Sequence, residues 1–135
     1  MNIDHICFVV NDLKAGIEYW YNVFGYKQIS KIVINSRQKV RVVFLGKKDS
    51  ITIKLIEPIE TNNSLINFIN RNGGFHHICF KCKEMNEKIM ELQRSGFKML
   101  VPPEPGEAFN NNDIAFLLGK NGLIVELTES DIDPI

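Results

Sequence analysis

The chain contains the same strand twice. Asp4-His5-Ile6-Cys7-Phe8 returns as His76-His77-Ile78-Cys79-Phe80 at an offset of 72 residues. A second echo keeps that offset, with Ile51-Thr52-Ile53-Lys54-Leu55-Ile56-Glu57 set against Leu123-Ile124-Val125-Glu126-Leu127-Thr128-Glu129. Between them, Phe24-Gly25-Tyr26-Lys27 is echoed by Ser95-Gly96-Phe97-Lys98, and Phe44-Leu45-Gly46 by Leu117-Leu118-Gly119. The period is too long and the copies too few for a solenoid, so the chain reads as two half-domains sharing one core. A two-fold repeat of this kind can bring equivalent residues from both halves to one cavity.

A length of 135 residues suits a single domain spanning the whole chain. Its first module is about 1–58, its connector 59–74 and its second module about 75–130. Sixteen basic residues balance sixteen acidic ones, which leaves no electrostatic footprint for nucleic acid or an anionic membrane. Three cysteines without CxxC spacing argue for a reducing compartment rather than a disulfide framework. No apolar run approaches the ~18 residues of a membrane span, and residues 6–10 are too short for a signal sequence. A cytoplasmic protein is expected.

Residues 3–10 are rich in β-formers and predict a strand. Asn11 or Asp12 can cap the helix that follows, in which Leu13, Ile17, Trp20, Tyr21 and Phe24 recur at helical spacing and Gly25 supplies the stop. Residues 27–34, 39–45 and 50–56 read as strands, making the first half βαβββ. In the connector, Asn63 or Ser64 caps a short helix. The second half repeats the order: a strand over 76–82, a helix around Met85, Ile89 and Leu92, then strands over 98–101, 114–118 and 123–128. Residues 102–113, with three prolines and three consecutive asparagines, read as a loop.

Side chains alternate faces along a strand. His5 therefore shares a face with Cys7, and His77 with Cys79, while Ile6, Phe8, Ile78 and Phe80 turn towards the helices. Lys54 and Glu126 take matching places between apolar neighbours on the last strand of each half. Pseudo-symmetry then places His5, Lys54, His77 and Glu126 around one point. Two imidazoles and a carboxylate are a common donor set for a divalent metal with open positions, and a carboxylate in an apolar strand needs a cation of some kind.

These residues resemble the vicinal oxygen chelate superfamily, the glyoxalase and bleomycin-resistance fold, and within it the methylmalonyl-CoA epimerase-like members. The resemblance rests on Asp4-His5-Ile6, Phe24-Gly25, Leu55-Ile56-Glu57-Pro58, Gly73-Gly74-Phe75-His76-His77-Ile78 and Gly122-Leu123-Ile124-Val125-Glu126-Leu127, and covers nearly the whole chain. It implies an α+β fold in which two tandem βαβββ modules form a curled mixed sheet around a central cavity. It also implies a divalent metal (Zn, Co, Ni, Mn or Fe) on His5, His77 and Glu126, with His76 pointing away, and a homodimer. Lys54 departs from the pattern, which places Gln or Glu there, because an ammonium has only donors. Its stem can swing aside from a three-residue metal site, its ammonium can pair with Glu126 in place of the metal, or it can act as base or enolate stabiliser.

The function implied is epimerase-like abstraction of a proton next to a carbonyl, with Glu126 and Lys54 as catalytic candidates and an acyl-CoA or glutathione adduct as the small-molecule substrate. A partner base in the first half would fall near Val42, which has no acid–base chemistry. The alternatives are a glyoxalase I-type lyase and a non-catalytic binding or resistance protein in which Lys54–Glu126 replaces the metal. Cys7, Cys79, Phe109 and Asn110 are candidate substrate contacts. A joint His2Cys2 zinc site is disfavoured, since same-face neighbours on a strand diverge by ~7 Å. Lys39 and Arg41, with Lys47 and Lys48, read as solvated positions that could also meet a phosphate.

Overall fold

The computed structural model describes residues 1–109 and 112–129. Strands β1 (Asn2–Val9) and β6 (Phe75–Lys81) run antiparallel at the middle of one nine-stranded sheet. Each is flanked by the last strand of its own half: β5 (Thr52–Pro58) lies parallel to β1, and β9 (Ile124–Thr128) parallel to β6. Next come β4 (Val40–Gly46) and β8 (Asn112–Leu118), antiparallel to β5 and β9. β2 (Lys27–Gln28) and β7 (Lys98–Gly106) form the two ends, and β3 (Val33–Asn35) also pairs with β4. The order β2-β4-β5-β1-β6-β9-β8-β7 places the elements of one half as the reverse of the other. The two βαβββ units and the mixed sheet are as the sequence implies, and the sheet is open rather than closed.

The helices α1 (Leu13–Phe24) and α3 (Met85–Arg94) cover equivalent sheet regions, and α2 (Asn63–Asn70) lies in the connector. Asp12 caps α1 by accepting the Ala15 N–H at 3.1 Å, and Gly25 ends it with φ 75°, a left-handed conformation that favours glycine. Glu57 at the end of β5 also accepts the Leu13 N–H at 3.3 Å. Its repeat partner Glu129 does the same for Met85 at 3.1 Å, where α3 has no side-chain cap of its own. Each half thus sends a carboxylate to the positive end of its helix. No helix among the described residues is long and apolar enough to cross a membrane.

The strand alternation sorts the core. Leu13, Val43, Leu45, Ile53 and Leu55 cluster under α1 with Ile6 and Phe8, while Cys82, Met85, Ile89, Leu117, Val125 and Leu127 cluster under α3 with Phe80. The opposite, concave face carries Cys7, Val42, Phe44, Ile56, Phe109, Ile114 and Phe116.

Local expectations differ from the structure at four places. The strand expected over 27–34 is broken because Ser30 Oγ accepts the Phe44 N–H at 2.8 Å, a side chain standing where a ladder carbonyl would be. The loop expected over 102–113 begins as strand, β7 continuing to Gly106 and a 3-10 turn following at Glu107–Phe109. Pro102, Pro103 and Pro105 are tolerated because β7 is an edge strand with register shifts on both sides of Val101. The cap of α2 is Asn62, which accepts the Leu65 N–H at 3.3 Å. Phe44 corresponds to Phe116 rather than Leu117, since they pair with Lys54 and Glu126 respectively.

Candidate active site

The alternation that buries Ile53, Leu55, Val125 and Leu127 under the helices turns Lys54 and Glu126 to the concave face. There they meet the two histidines. His5 Nε2 lies 3.1 Å from Glu126 Oε1, His77 Nε2 lies 3.0 Å from the same oxygen, and Lys54 Nζ lies 3.5 Å from it. All four residues are buried, His5 and Glu126 at 0% exposure, His77 at 1% and Lys54 at 5%. The register explains the convergence: Cys7 pairs with Lys54 and with His77, and Cys79 pairs with Glu126 and with His5.

Phenylalanines wall the histidines symmetrically. Phe44 meets the His5 ring edge-on at 5.4 Å, and Phe116 meets His77 likewise at 5.2 Å. Phe109 covers the group, stacked on His5 at 5.9 Å and 5.7 Å from Lys54 Nζ. It packs over the cluster as a buried core residue and does not line the cavity beside it. Asn110 lies outside the described residues.

Burial alone would raise the Glu126 carboxyl, but the Lys54 ammonium and hydrogen bonding with both histidines hold it well below the ordinary carboxylate range. Burial is the largest influence on Lys54 and pulls it down, yet the Glu126 charge and hydrogen bond together with the Cys7 and Cys79 thiols hold the ammonium above its ordinary value. For His77 burial dominates and lowers it to about 3.

A divalent metal fits His5, His77 and Glu126. Their ligand atoms all lie within 4.8 Å of one another. Ligands ~2.1 Å from an ion and at right angles to one another sit about 3.0 Å apart, close to the two N–O separations here. His5 Nδ1 lies 3.0 Å from Asp4 Oδ2, so both its nitrogens face carboxylate oxygens while a neutral imidazole has one proton to give. A cation at Nε2 resolves that mismatch, with Asp4 as the outer carboxylate that orients a ligating histidine. Glu126 Oε2 is buried without a hydrogen-bond partner, a further free acceptor. Lys54 cannot be a fourth ligand while it is an ammonium.

A cavity of about 290 Å³ opens on this cluster. Lys54, His76 and His77 reach it beside polar Asn35, Gln38, Asn62 and Ser64 and apolar Leu65, Leu100, Ile114, Phe116 and Ile124. A larger groove of about 760 Å³ runs along α3 near Met1 and Glu129, but none of the converging groups reaches it. Cys7 and Cys79, expected at the cavity, are fully buried and do not line it. Burial pushes the Cys7 thiol up to about 12. They are small packing residues under the site, at 0% exposure.

His76 does not point away. β1 and β6 pair Cys7 with His77 but Phe8 with Phe75, so His76 is the extra residue of a β-bulge. The bulge turns its ring to the cavity, with Nδ1 2.8 Å from His77 Nδ1. Burial lowers it to about 4. A strand pattern cannot reveal a bulge, although the doubled histidine was in view. Asp4 was also legible as part of the repeated strand, since the first copy begins with an acid where the second begins with His76.

A family profile described as the Glyoxalase/Bleomycin resistance protein/Dioxygenase superfamily matches residues 4–116. The chain belongs to this superfamily. Among relatives of this superfamily member, human mitochondrial methylmalonyl-CoA epimerase is 26% identical over 132 residues, covering 95% of this chain and 73% of that protein. Glyoxalase I of Saccharomyces cerevisiae is 27% identical over 146 residues, covering 93% of this chain but 44% of that one. A methylmalonyl-CoA epimerase solved in complex with methylmalonyl-CoA and NH4+ has a TM-score of 0.79 at 25% identity, covering 98% of this chain and 97% of its own. The superfamily member's relatives thus include both epimerase and glyoxalase enzymes.

Proposed function

We propose that this chain is an epimerase-like isomerase that moves the proton on the carbon next to the carbonyl of a small acyl thioester. The observation that carries this reading is the meeting of His5, Lys54, His77 and Glu126 at one point, from which Lys54 and His77 reach the 290 Å³ cavity. Likeness to an epimerase solved with an acyl-CoA supports the substrate class.

His5, His77 and Glu126 would hold a divalent cation, which when bound supplies positive charge opposite the oxygen of a developing enolate. Glu126 Oε1 faces the histidines and Oε2 makes no hydrogen bond, which makes Oε2 the acceptor for the proton once Lys54, which stands between Glu126 and solvent at the cavity, turns aside. Lys54 reaches the cavity and brings a second positive charge to the same point. Its flexible stem lets the ammonium turn from Glu126 to a substrate oxygen. Phe109 keeps water off His5 and strengthens every charge interaction beneath it. Val42, buried in the apolar cluster of the concave face, provides no second base. Proton exchange from the Glu126 side should therefore outpace inversion.

The test is α-proton exchange in heavy water, followed by mass spectrometry, on methylmalonyl-CoA and simple acyl-CoA thioesters. One deuteron should enter per substrate, about 100-fold more slowly with Glu126→Gln. Exchange on hemithioacetals alone would instead favour the glyoxalase-type lyase. Acyl-CoA binding with no exchange would sink the enzyme reading. The Lys54–Glu126 pair specifically favours the remaining alternative, a binding protein whose internal ion pair stands where the metal would be.

A further inference from the structure

The bulge in β6 sets two imidazoles against each other. At 2.8 Å between the Nδ1 atoms of His76 and His77, two N–H groups repel and two lone pairs repel, so the contact holds one shared proton. The ring that carries it depends on what the other nitrogen of His77 faces, because a neutral imidazole has one N–H. His77 Nε2 lies 3.0 Å from Glu126 Oε1. While Glu126 is paired with Lys54, His77 donates from Nε2 to the carboxylate and accepts at Nδ1 from His76. With a cation on the Nε2 lone pair, His77 carries its proton on Nδ1 and donates to His76.

The other half of the site is held differently. His5 Nδ1 faces Asp4 Oδ2 at 3.0 Å, and a carboxylate only accepts, so with a cation on Nε2 the proton of His5 stays on Nδ1. An acceptor-only partner for His77 would cost it the bond to Glu126 in the ion-paired state. A donor-only partner would oppose cation binding. Histidine can do either. In a regular strand His76 would face the helices, so the bulge is what makes the contact. Phe68, edge-on at 5.4 Å, holds the His76 ring in place.

We propose that His76 is a positioning residue for His77, a partner that reverses its donor and acceptor roles so that the His77 ring stays oriented in both the ion-paired and the cation-bound site. The cation-bound half rests on the function proposed above; the pairing of the two rings does not.

Long-range proton–nitrogen NMR of the 15N-labelled full chain reads both tautomers directly. Without metal, His77 is expected as the Nε2–H form and His76 as Nδ1–H; zinc should reverse both together. His76→Phe should lower zinc affinity about 10- to 100-fold. His76→Gln, whose amide both donates and accepts, should recover most of it. Zinc affinity of His76→Phe within about twofold of wild type would overturn the proposal. So would metal-free protein in which the two Nδ1 atoms are both protonated or both bare. If zinc fails to bind at all, the metal reading fails by itself. The metal-free tautomers then decide: reciprocal protonation upholds the pairing and its absence refutes it.

Discussion

Lys54 and Glu126 hold equivalent places in the two halves, 72 residues apart, and meet with Nζ 3.5 Å from Oε1. Both are buried, so each is a main counter-charge of the other. Duplicated strands deliver matched positions to one point, and here those positions carry opposite charges.

Breaking that pair from either side leaves a buried charge alone. Lys54→Met and Glu126→Leu should each destabilise the fold by about 3–5 kcal/mol, while the double variant should recover most of the loss. Urea unfolding of the four proteins measures the coupling. A double variant as unstable as the two single losses combined would show that the pair is not the source of the effect.

Lys54 should compete with a metal. Lys54→Gln leaves His5, His77 and Glu126 in place without the ammonium, so zinc or cobalt should raise its melting temperature more than that of wild type. Metal at 100 times its Kd stabilises by about 2.7 kcal/mol, well within the reach of thermal unfolding. Equal shifts in the two proteins would mean that Lys54 does not obstruct the site.

Stability should fall early in acid. Burial holds His77 at about 3 and His76 at about 4, against 6.5 for a free histidine. The unfolded chain takes up those protons as pH drops through 6.5, and the folded chain does not. Their contribution is therefore complete above pH 6.5 and declines below it, by at most about 1.4 kcal/mol per pH unit for each ring. Glu126, whose carboxyl is depressed, adds a loss only further down, below the 4.5 of a free glutamic acid. Unfolding midpoints in urea from pH 7.5 to 4.5 give the slope. A flat profile down to pH 5 would contradict neutral burial of the histidines.

The thiols should be silent in the native protein. Cys7 and Cys79 are fully buried and Cys82 nearly so, and burial raises all three thiols. A disulfide-exchange reagent at pH 8 should titrate three thiols in urea and react only slowly with the native chain. Rapid loss of native Cys7, identified by peptide mass spectrometry, would show that the concave face opens more readily than Phe109 allows.

Much of this architecture was legible because it depends on local periodicity. The inward histidines, Lys54 and Glu126 follow from strand alternation, and the helix ends at Asp12 and Gly25 from capping chemistry. The readings that failed depended on strand partners. Prolines at 102, 103 and 105 signal a loop unless the strand they occupy is at a sheet edge, which depends on where the rest of the chain lies. Ser30 breaks its strand through a bond to Phe44, 14 residues on. Cys7 and Cys79 face the concave side as expected but lie beneath the site, because packing depth is not a property of a strand pattern.

By itself, the sequence determined the repeat, the two βαβββ halves and the face on which each candidate residue stands, because backbone geometry imposes a period of two on any strand. Only the tertiary structure decided that three side chains converge on a single oxygen of Glu126, that a bulge turns His76 to the cavity, and that Lys54 is a partner of Glu126. Those outcomes depend on register between strands up to 121 residues apart, where a shift of one residue would send the whole set to the other face.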